Sequence, residues 1–140
     1  MKLYAVIDTN VLVSSLLSKN PASATRRVVD AIAGGRLIPL YDRTMMDEYL
    51  DVLCRSKFPF SEQVIQDILQ MIRDFGIKVT PAPVDEPLPD PDDVVFYAVV
   101  MEKRKTDDAY LVTGNLRHFP RKIFIVTPAE MMELLDAVEE

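Results

Sequence analysis

The chain has 140 residues, 49% of them hydrophobic and 27% charged, which is the composition of a folded globular protein and excludes a disordered or collagen-like chain. One cysteine, Cys54, and one histidine, His118, exclude an internal disulfide and a zinc module built from Cys and His ligands. The chain has 16 Lys and Arg residues and 22 Asp and Glu residues, so its net charge is −6. Nucleic-acid binding would therefore need a local basic patch or a bound cation.

The first half of the chain predicts two buried strands. The continuous apolar runs from Leu3 to Ile7 and from Leu37 to Tyr41 are typical of strands covered by helices on both faces. Between them, a short apolar stretch precedes a helix that Ser23 can cap and that Gly34-Gly35 ends. This order of elements is typical of a βαβ unit.

The next two helices differ in how clearly their apolar faces are marked. Asp42 or Thr44 can cap the first of them, and its apolar spacing leaves Glu48 near the apolar face but not plainly on it. Ser61 opens the second helix, which ends at Gly76 and carries one apolar stripe of Val64, Ile65, Ile68, Leu69 and Ile72. A third strand is predicted from Ile77 to Val79.

Residues 81–93 hold five of the ten prolines and five acids, a composition that excludes a helix or a central strand and predicts an ordered surface loop. Pro91 suits the first turn of the helix that follows, in which Val94, Val95, Ala98, Val99 and Met101 are apolar. The acids of the loop then lie at the positive end of this helix.

The last third of the chain predicts a fourth strand from Ala109 to Val112, a fifth from Ile123 to Val126, and a helix from Pro128 to Val138. Alternation of strands and helices predicts an α/β fold: a three-layer sandwich around a mostly parallel sheet of about five strands. Such sheets place their sites beyond the carboxyl ends of the strands, and polar triplets follow two of them, Asp8-Thr9-Asn10 and Thr113-Gly114-Asn115.

The sequence also argues against several kinds of chemistry and several locations. It contains no G-x-G-x-x-G, no P-loop motif and no elbow motif around a serine, which disfavours nucleotide-cofactor binding and triad catalysis. No apolar run approaches the roughly 20 residues of a membrane span, and an acid at position 8 interrupts the N-terminal apolar segment. We therefore expect a single domain over residues 1–140, cytoplasmic and without membrane association.

The remaining candidates for a functional site are acids at the ends of predicted elements: Asp8, Glu48, Asp90, Asp92 and Asp93. If they converge, their mutual repulsion raises their pKa values or requires a cation, and hard oxygen ligands select Mg²⁺ or Mn²⁺. Such an ion activates water for phosphodiester hydrolysis without a side-chain nucleophile. Each acid also has a structural alternative: Asp8 as a helix cap, Glu48 as a solvated helix residue, and Asp92 and Asp93 as partners of a helix dipole, worth about 0.3 to 1 kcal/mol each.

Four segments together resemble the PIN domain, the ribonuclease fold of VapC-type toxins and of several RNA-processing nucleases. They are AVIDTNVLVSSL, MMDEYLDVL, DPDDVVFYAVV and DDAYLVTGNLRHFP, and they span nearly the whole chain in the correct order. The resemblance is strongest to the toxin components of toxin–antitoxin systems. Each motif alone is weak evidence for this family, but the four motifs in this order are specific to it.

The resemblance implies a catalytic set of Asp8, Glu48, Asp93 and Asn115, of which Asp8, Glu48 and Asp93 would bind the metal. It further implies supporting roles for Asn10, which would orient the first Asp, for Thr113, and for Asp90 and Asp92 as helpers. Many family members have an acid where this chain has Asn115. With three anionic ligands left, one tightly bound Mg²⁺ is easier to justify than two.

The implied activity is metal-dependent cleavage of RNA with Mg²⁺ or Mn²⁺, by a toxin that an antitoxin protein would block and that would pair as a homodimer. Element positions suggest that Arg43, Arg117, Arg121 and Lys122 hold the RNA backbone, while His118 contacts phosphate or serves as a surface or capping residue.

Two alternatives remain at this stage. A phosphatase or receiver domain also places an Asp after its first parallel strand, but the acid expected two residues later is Asn10 here, and the acidic pair of receivers is absent. The stronger alternative is a catalytically weak PIN fold that only binds RNA or protein.

Overall fold

The computed structural model describes residues 2–138, which form one five-stranded, all-parallel sheet. The strands are β1 (Leu3–Ile7), β2 (Leu37–Tyr41), β3 (Ile77–Lys78), β4 (Ala109–Val112) and β5 (Ile125–Val126). Their order across the sheet is β3-β2-β1-β4-β5, so β1 is central and pairs with β2 and β4. The carboxyl ends of β1 and β4 therefore lie side by side.

Six helices connect and cover the strands: α1 (Thr9–Leu17), α2 (Ala24–Ala33), α3 (Arg43–Leu53), α4 (Glu62–Phe75), α5 (Val94–Arg104) and α6 (Pro128–Val138). Short 3₁₀ turns, residues 91–93 and 116–118, precede α5 and follow β4. The predicted α/β sandwich is confirmed. Among residues 2–138, no helix is long and apolar enough to cross a bilayer.

Helix caps explain where three of the helices begin. The Ser23 side chain accepts a hydrogen bond from the Arg26 backbone N–H, and the Ser61 side chain accepts one from Val64. Asp42, rather than Thr44, caps α3, because its carboxylate accepts from the Met45 N–H at 2.8 Å. Since Asp42 directly follows β2, the cap fixes where α3 leaves the sheet.

Four sequence-based details differ from the structure. The fifth strand begins at Ile125, and Ile123 is 93% exposed, because pairing with β4 starts only at Leu111 and Ile125. Val64 lies 40% exposed beside the buried stripe of α4, since it falls in the first, solvent-facing turn. The apolar stretch after β1 is a full helix, α1. In α5, residues 96–100 are all buried, so this helix is covered on more than the one face predicted.

Candidate active site

The carboxyl ends of β1 and β4 meet at Asp8. Thr113, the first residue after β4, donates from Oγ1 to Asp8 Oδ2 at 2.7 Å, and Asn10 Nδ2 donates to the same oxygen at 3.2 Å. Asn10 is itself held by the Gly114 backbone N–H, which donates to Asn10 Oδ1 at 3.1 Å. Two polar triplets that lie far apart in the sequence thus form one hydrogen-bonded network around a single carboxylate.

Asp8 is 5% exposed, and its burial raises the pKa of its carboxyl group while the Thr113 hydrogen bond opposes the rise. Asp8 occupies the N-cap position of α1, but its side chain makes no capping hydrogen bond there. The capping alternative therefore does not explain this carboxylate. Both side-chain donors bind Oδ2, so a cation approaching the other oxygen would displace neither of them.

Helix α3 brings Glu48 to the same cleft through its neighbour Tyr49. The buried Tyr49 hydroxyl donates to the Ile7 carbonyl at the end of β1, and its ring packs edge-on against Phe96 with 5.8 Å between centroids. The pKa of Glu48 is raised, first by partial burial and then by the nearby Asp92 carboxylate. Glu48 is half-buried and faces other acids, which does not fit a freely solvated helix residue.

The start of α5 supplies three more acids, and they differ in role. Asp90 Oδ1 accepts from the Asp92 backbone N–H at 2.9 Å and so caps the 3₁₀ turn, while Asp92 is exposed. Asp93 is the most enclosed of the three, with its side chain 13% exposed. Burial, with Asp8 and Asp90 adding repulsion, raises the pKa of Asp93 to about 6.

His118 lies in the cleft beside Asp93, and Asn115 lies behind it. His118 Nδ1 is 3.2 Å from Asp93 Oδ2, and Asn115 Nδ2 is 2.9 Å from His118 Nε2. An amide nitrogen can only donate, so Nε2 accepts and Nδ1 can carry the hydrogen that faces Asp93. The His118 ring thus lies between the Asn115 amide and Asp93, and the Asn115 backbone N–H donates to Thr113 Oγ1 at 2.9 Å.

The structure collects most of the predicted site residues in one open cleft of about 310 Å³. The predicted residues that line it are Asp8, Asn10, Glu48, Asp90, Asp92 and Asp93, joined by His118. Thr113 is buried beneath it, in contact with Asp8. Asn115 does not line it and reaches the site only through His118 and Thr113.

The donor chemistry of the cleft fits a hard divalent cation. Asp93 Oδ2 is buried, and among residues 2–138 His118 Nδ1 approaches it to 3.2 Å but in a poor hydrogen-bond geometry, so this carboxylate oxygen keeps the capacity to bind an ion. The carboxylates of Asp8 and Glu48 line the same cleft and could supply further oxygen ligands. As placed in the part of the chain that the structure describes, no three His, Cys, Asp or Glu side chains are close enough to form a complete metal site, so a full ligand set needs side-chain movement or water.

The basic residues predicted to hold RNA lie elsewhere. Arg117, Arg121 and Lys122 line a separate pocket of about 240 Å³, and Arg43, exposed at the start of α3, lines neither cavity. Arg55 and Lys57, which follow α3, line the acidic cleft instead. Neither residue was predicted from the sequence, although R-S-K-F-P-F between two helices is a pattern of basic residues interleaved with aromatic ones.

A family model described as the PIN domain matches residues 4–117. The match covers most of the chain, including β1, α3, the start of α5 and the end of β4, so the protein belongs to the PIN domain family. Searches of curated proteins and of solved structures find no match. Family membership makes this a nuclease fold of a kind that typically binds divalent metal ions.

The Thr113–Asp8 hydrogen bond gives a first testable expectation. Thr113→Val keeps the shape of a fully buried side chain but removes the hydroxyl that donates to Asp8 from just beyond β4, so we expect a loss of about 1 to 3 kcal/mol in the free energy of unfolding at neutral pH. Thr113→Ser, which keeps the hydroxyl, should lose less. Urea denaturation measures both, and equal losses would contradict a role for the hydroxyl.

Proposed function

We propose that this PIN domain is a metal-dependent endoribonuclease that uses Mg²⁺ or Mn²⁺ to cleave RNA. The observation that carries the proposal is the convergence of Asp8, Glu48 and Asp93, each with a raised carboxyl pKa, in one cleft at the carboxyl ends of β1 and β4. Clustered acids that are costly to ionise together are stabilised by a divalent cation.

In this proposal Asp8, Glu48 and Asp93 hold the ion. A bound Mg²⁺ or Mn²⁺ polarises a phosphoryl oxygen and lowers the pKa of a coordinated water. The remaining residues orient the carboxylates: Thr113 and Asn10 fix Asp8, and His118 contacts Asp93. Such supporting contacts commonly change metal affinity or activity by about 10- to 100-fold.

Asn115 acts in this proposal from behind His118 and not as a metal ligand. Its side chain contacts the imidazole and its backbone N–H donates to Thr113, so one residue braces both sides of the site. Because an amide adds no charge at this position, three carboxylates remain as anionic ligands, which suits one ion better than two.

The experiment that tests the activity is cleavage of single-stranded RNA by purified protein with Mn²⁺ or Mg²⁺ against the same reaction in EDTA. We expect cleavage only with metal. RNA binding without cleavage under any of these metals would favour the binding-module alternative.

We further propose, from the family resemblance, that the protein is a toxin blocked by an antitoxin and that it forms homodimers. Induced expression should arrest bacterial growth, while the Asp8→Asn variant at equal abundance should not. Normal growth with the active enzyme would contradict the toxin assignment, and a monomeric mass by sedimentation would contradict the dimer.

Metal addition gives a second expectation. An ion that binds only the folded protein stabilises it by about 2.7 kcal/mol at a hundredfold excess over its Kd, so Mn²⁺ should raise the Tm by roughly 5 to 10 °C. Differential scanning fluorimetry with increasing Mn²⁺ measures the shift. Asp8→Asn should shift far less, and an unchanged Tm in the parent protein at millimolar Mn²⁺ would count against the metal site.

A further inference from the structure

Residues 55–60, which we name the aromatic lip, follow α3 and border the acidic cleft. Arg55, Lys57 and Phe58 line the cleft, yet none of them has a part in the proposed metal chemistry. The segment belongs neither to the sheet nor to a helix, so its side chains are not needed to complete a regular element.

The lip is an ordered turn. The Arg55 N–H donates to the Val52 carbonyl at 3.1 Å, and the Phe58 N–H donates to the Arg55 carbonyl at 3.0 Å. The second bond closes a turn over residues 55–58, and both end residues of the turn, Arg55 and Phe58, line the cleft. The lip is therefore held in place before any ligand arrives.

Phe58 is supported by a second ring. It stacks on Phe60 with 5.3 Å between centroids and 14° between planes, and Phe60 in turn packs against the hydrophobic core. Phe58 itself is not among the residues packed against the core, and it remains partly exposed in the cleft wall. An aromatic ring fixed on one side and open to a polar cleft is a surface on which a flat ligand can stack.

Two basic side chains, Lys57 and Arg55, line the cleft together with this ring. Lys57 Nζ lies over the Phe58 ring, 5.1 Å from its centroid, on an exposed side chain that has to move aside before a base can stack there. Arg55 forms an exposed ion pair with Asp51 at 3.4 Å, and its charge also partly opposes the raised pKa of Glu48. Exposed pairs of this kind are weak, so both cations are free to exchange their contacts for a phosphate. Among the Lys and Arg side chains of residues 2–138, these two line the acidic cleft.

We propose that the aromatic lip binds one unpaired nucleotide of single-stranded RNA, with the base stacked on Phe58 and an adjacent phosphate paired with Lys57 and Arg55. The proposal rests on the proposed function, because it assumes a nucleic-acid chain in the cleft. An unpaired base is required, since a base within a duplex already has stacked neighbours and cannot reach the ring. The lip thus selects single strands over duplexes.

The test measures binding separately from cleavage. A fluorescein-labelled oligouridine of about 12 nucleotides is titrated with protein in EDTA, where metal-dependent cleavage cannot occur, and its anisotropy is recorded. Phe58→Ala should weaken binding roughly 5- to 150-fold, as expected for loss of one stacked base, while Phe58→Trp should restore it. Phe75→Ala is the matched control, because Phe75 is 50% exposed at the end of α4 and does not line the cleft.

Salt dependence tests the basic part of the lip. Lys57→Gln should reduce the slope of log affinity against log salt concentration by about one, whereas Lys78→Gln, on exposed β3, should leave it unchanged. A hairpin duplex of the same length should bind more weakly than the single strand and should be insensitive to Phe58→Ala.

The outcomes separate this inference from the proposed activity. The nucleotide-binding role of the lip is overturned if Phe58→Ala binds oligouridine as the parent does, or if it weakens binding of the hairpin as much as binding of the single strand. This holds even if Asp8-dependent cleavage persists. Phe58-dependent binding without metal-dependent cleavage supports the lip and overturns the nuclease proposal. Thermal unfolding of each variant verifies that the protein is folded. Phe58→Trp keeps an aromatic ring at this position, so restored binding in this variant shows that stacking, and not a loss of structure, explains the effect of Phe58→Ala.

Discussion

Asp8→Asn is expected to reduce metal-dependent RNA cleavage by about a thousandfold or more, because it removes the most buried of the three proposed carboxylate ligands and the several kcal/mol of charge stabilisation that a bound ion would supply. The amide keeps the volume of the carboxyl group, so the network around β1 and β4 stays packed. A gel-based cleavage assay with Mn²⁺ measures the activity, and isothermal titration calorimetry measures the loss of metal affinity.

The matched control for Asp8→Asn is Asp30→Asn, which changes an exposed aspartate of α2 outside the cleft. It should cleave RNA and bind Mn²⁺ as the parent does. Full activity in purified Asp8→Asn protein would show that the cleavage does not depend on this carboxylate and would remove Asp8 from the proposed metal set.

Asp93→Asn is expected to stabilise the metal-free protein at neutral pH by about 1 to 2 kcal/mol. The pKa of Asp93 is raised to about 6 from an ordinary value near 3.8, so the native state holds this proton more tightly than the unfolded chain does. The contribution of Asp93 to stability is therefore most favourable below about pH 4, becomes less favourable as the pH rises from about 4 to 6, and stays lower above that range. Two pKa units correspond to about 2.7 kcal/mol, which partial solvent contact reduces.

Urea denaturation across this pH range measures the effect in EDTA. The gain from Asp93→Asn should disappear below pH 4, where the carboxyl group is protonated in both states. Adding Mn²⁺ should reverse the order, since the parent gains a metal-bound state that the variant has lost. A variant less stable than the parent at pH 7 in EDTA would contradict the proposed burial cost of Asp93.

Much of the fold follows from local signals in the sequence. The apolar runs of β1 and β2 and the caps at Ser23 and Ser61 depend on neighbouring residues alone and were predicted. For α3 the sequence left two candidate caps, Asp42 and Thr44, and only the structure selects Asp42. The short length of β5 was not predicted, because the extent of pairing with β4 is decided by tertiary contacts and not by the apolar character of Ile123.

The candidate site likewise has a part that the sequence predicts and a part that it does not. The position of Asp8 after a buried strand indicated its place, since parallel strands align their carboxyl ends. His118 and Asn115 could not be ordered from spacing, because the 3₁₀ turn after β4 turns the imidazole toward Asp93 and leaves the amide behind it. Arg55 and Phe58 were not predicted because no periodicity marks a turn, and only the folded chain places this turn at the cleft that the acids line.

The two outer strands, β3 and β5, are each only two residues long. Few backbone N–H and C=O groups therefore lie free along either border of the sheet, and another chain has little to pair with. Pro39 on β2 has no N–H to donate, and β3 begins beyond it, opposite Leu40. Pairing of the sheets of two copies into a continuous one is therefore disfavoured, as is amyloid-like growth from these borders, and we expect the proposed homodimer to be built from helix faces and loops.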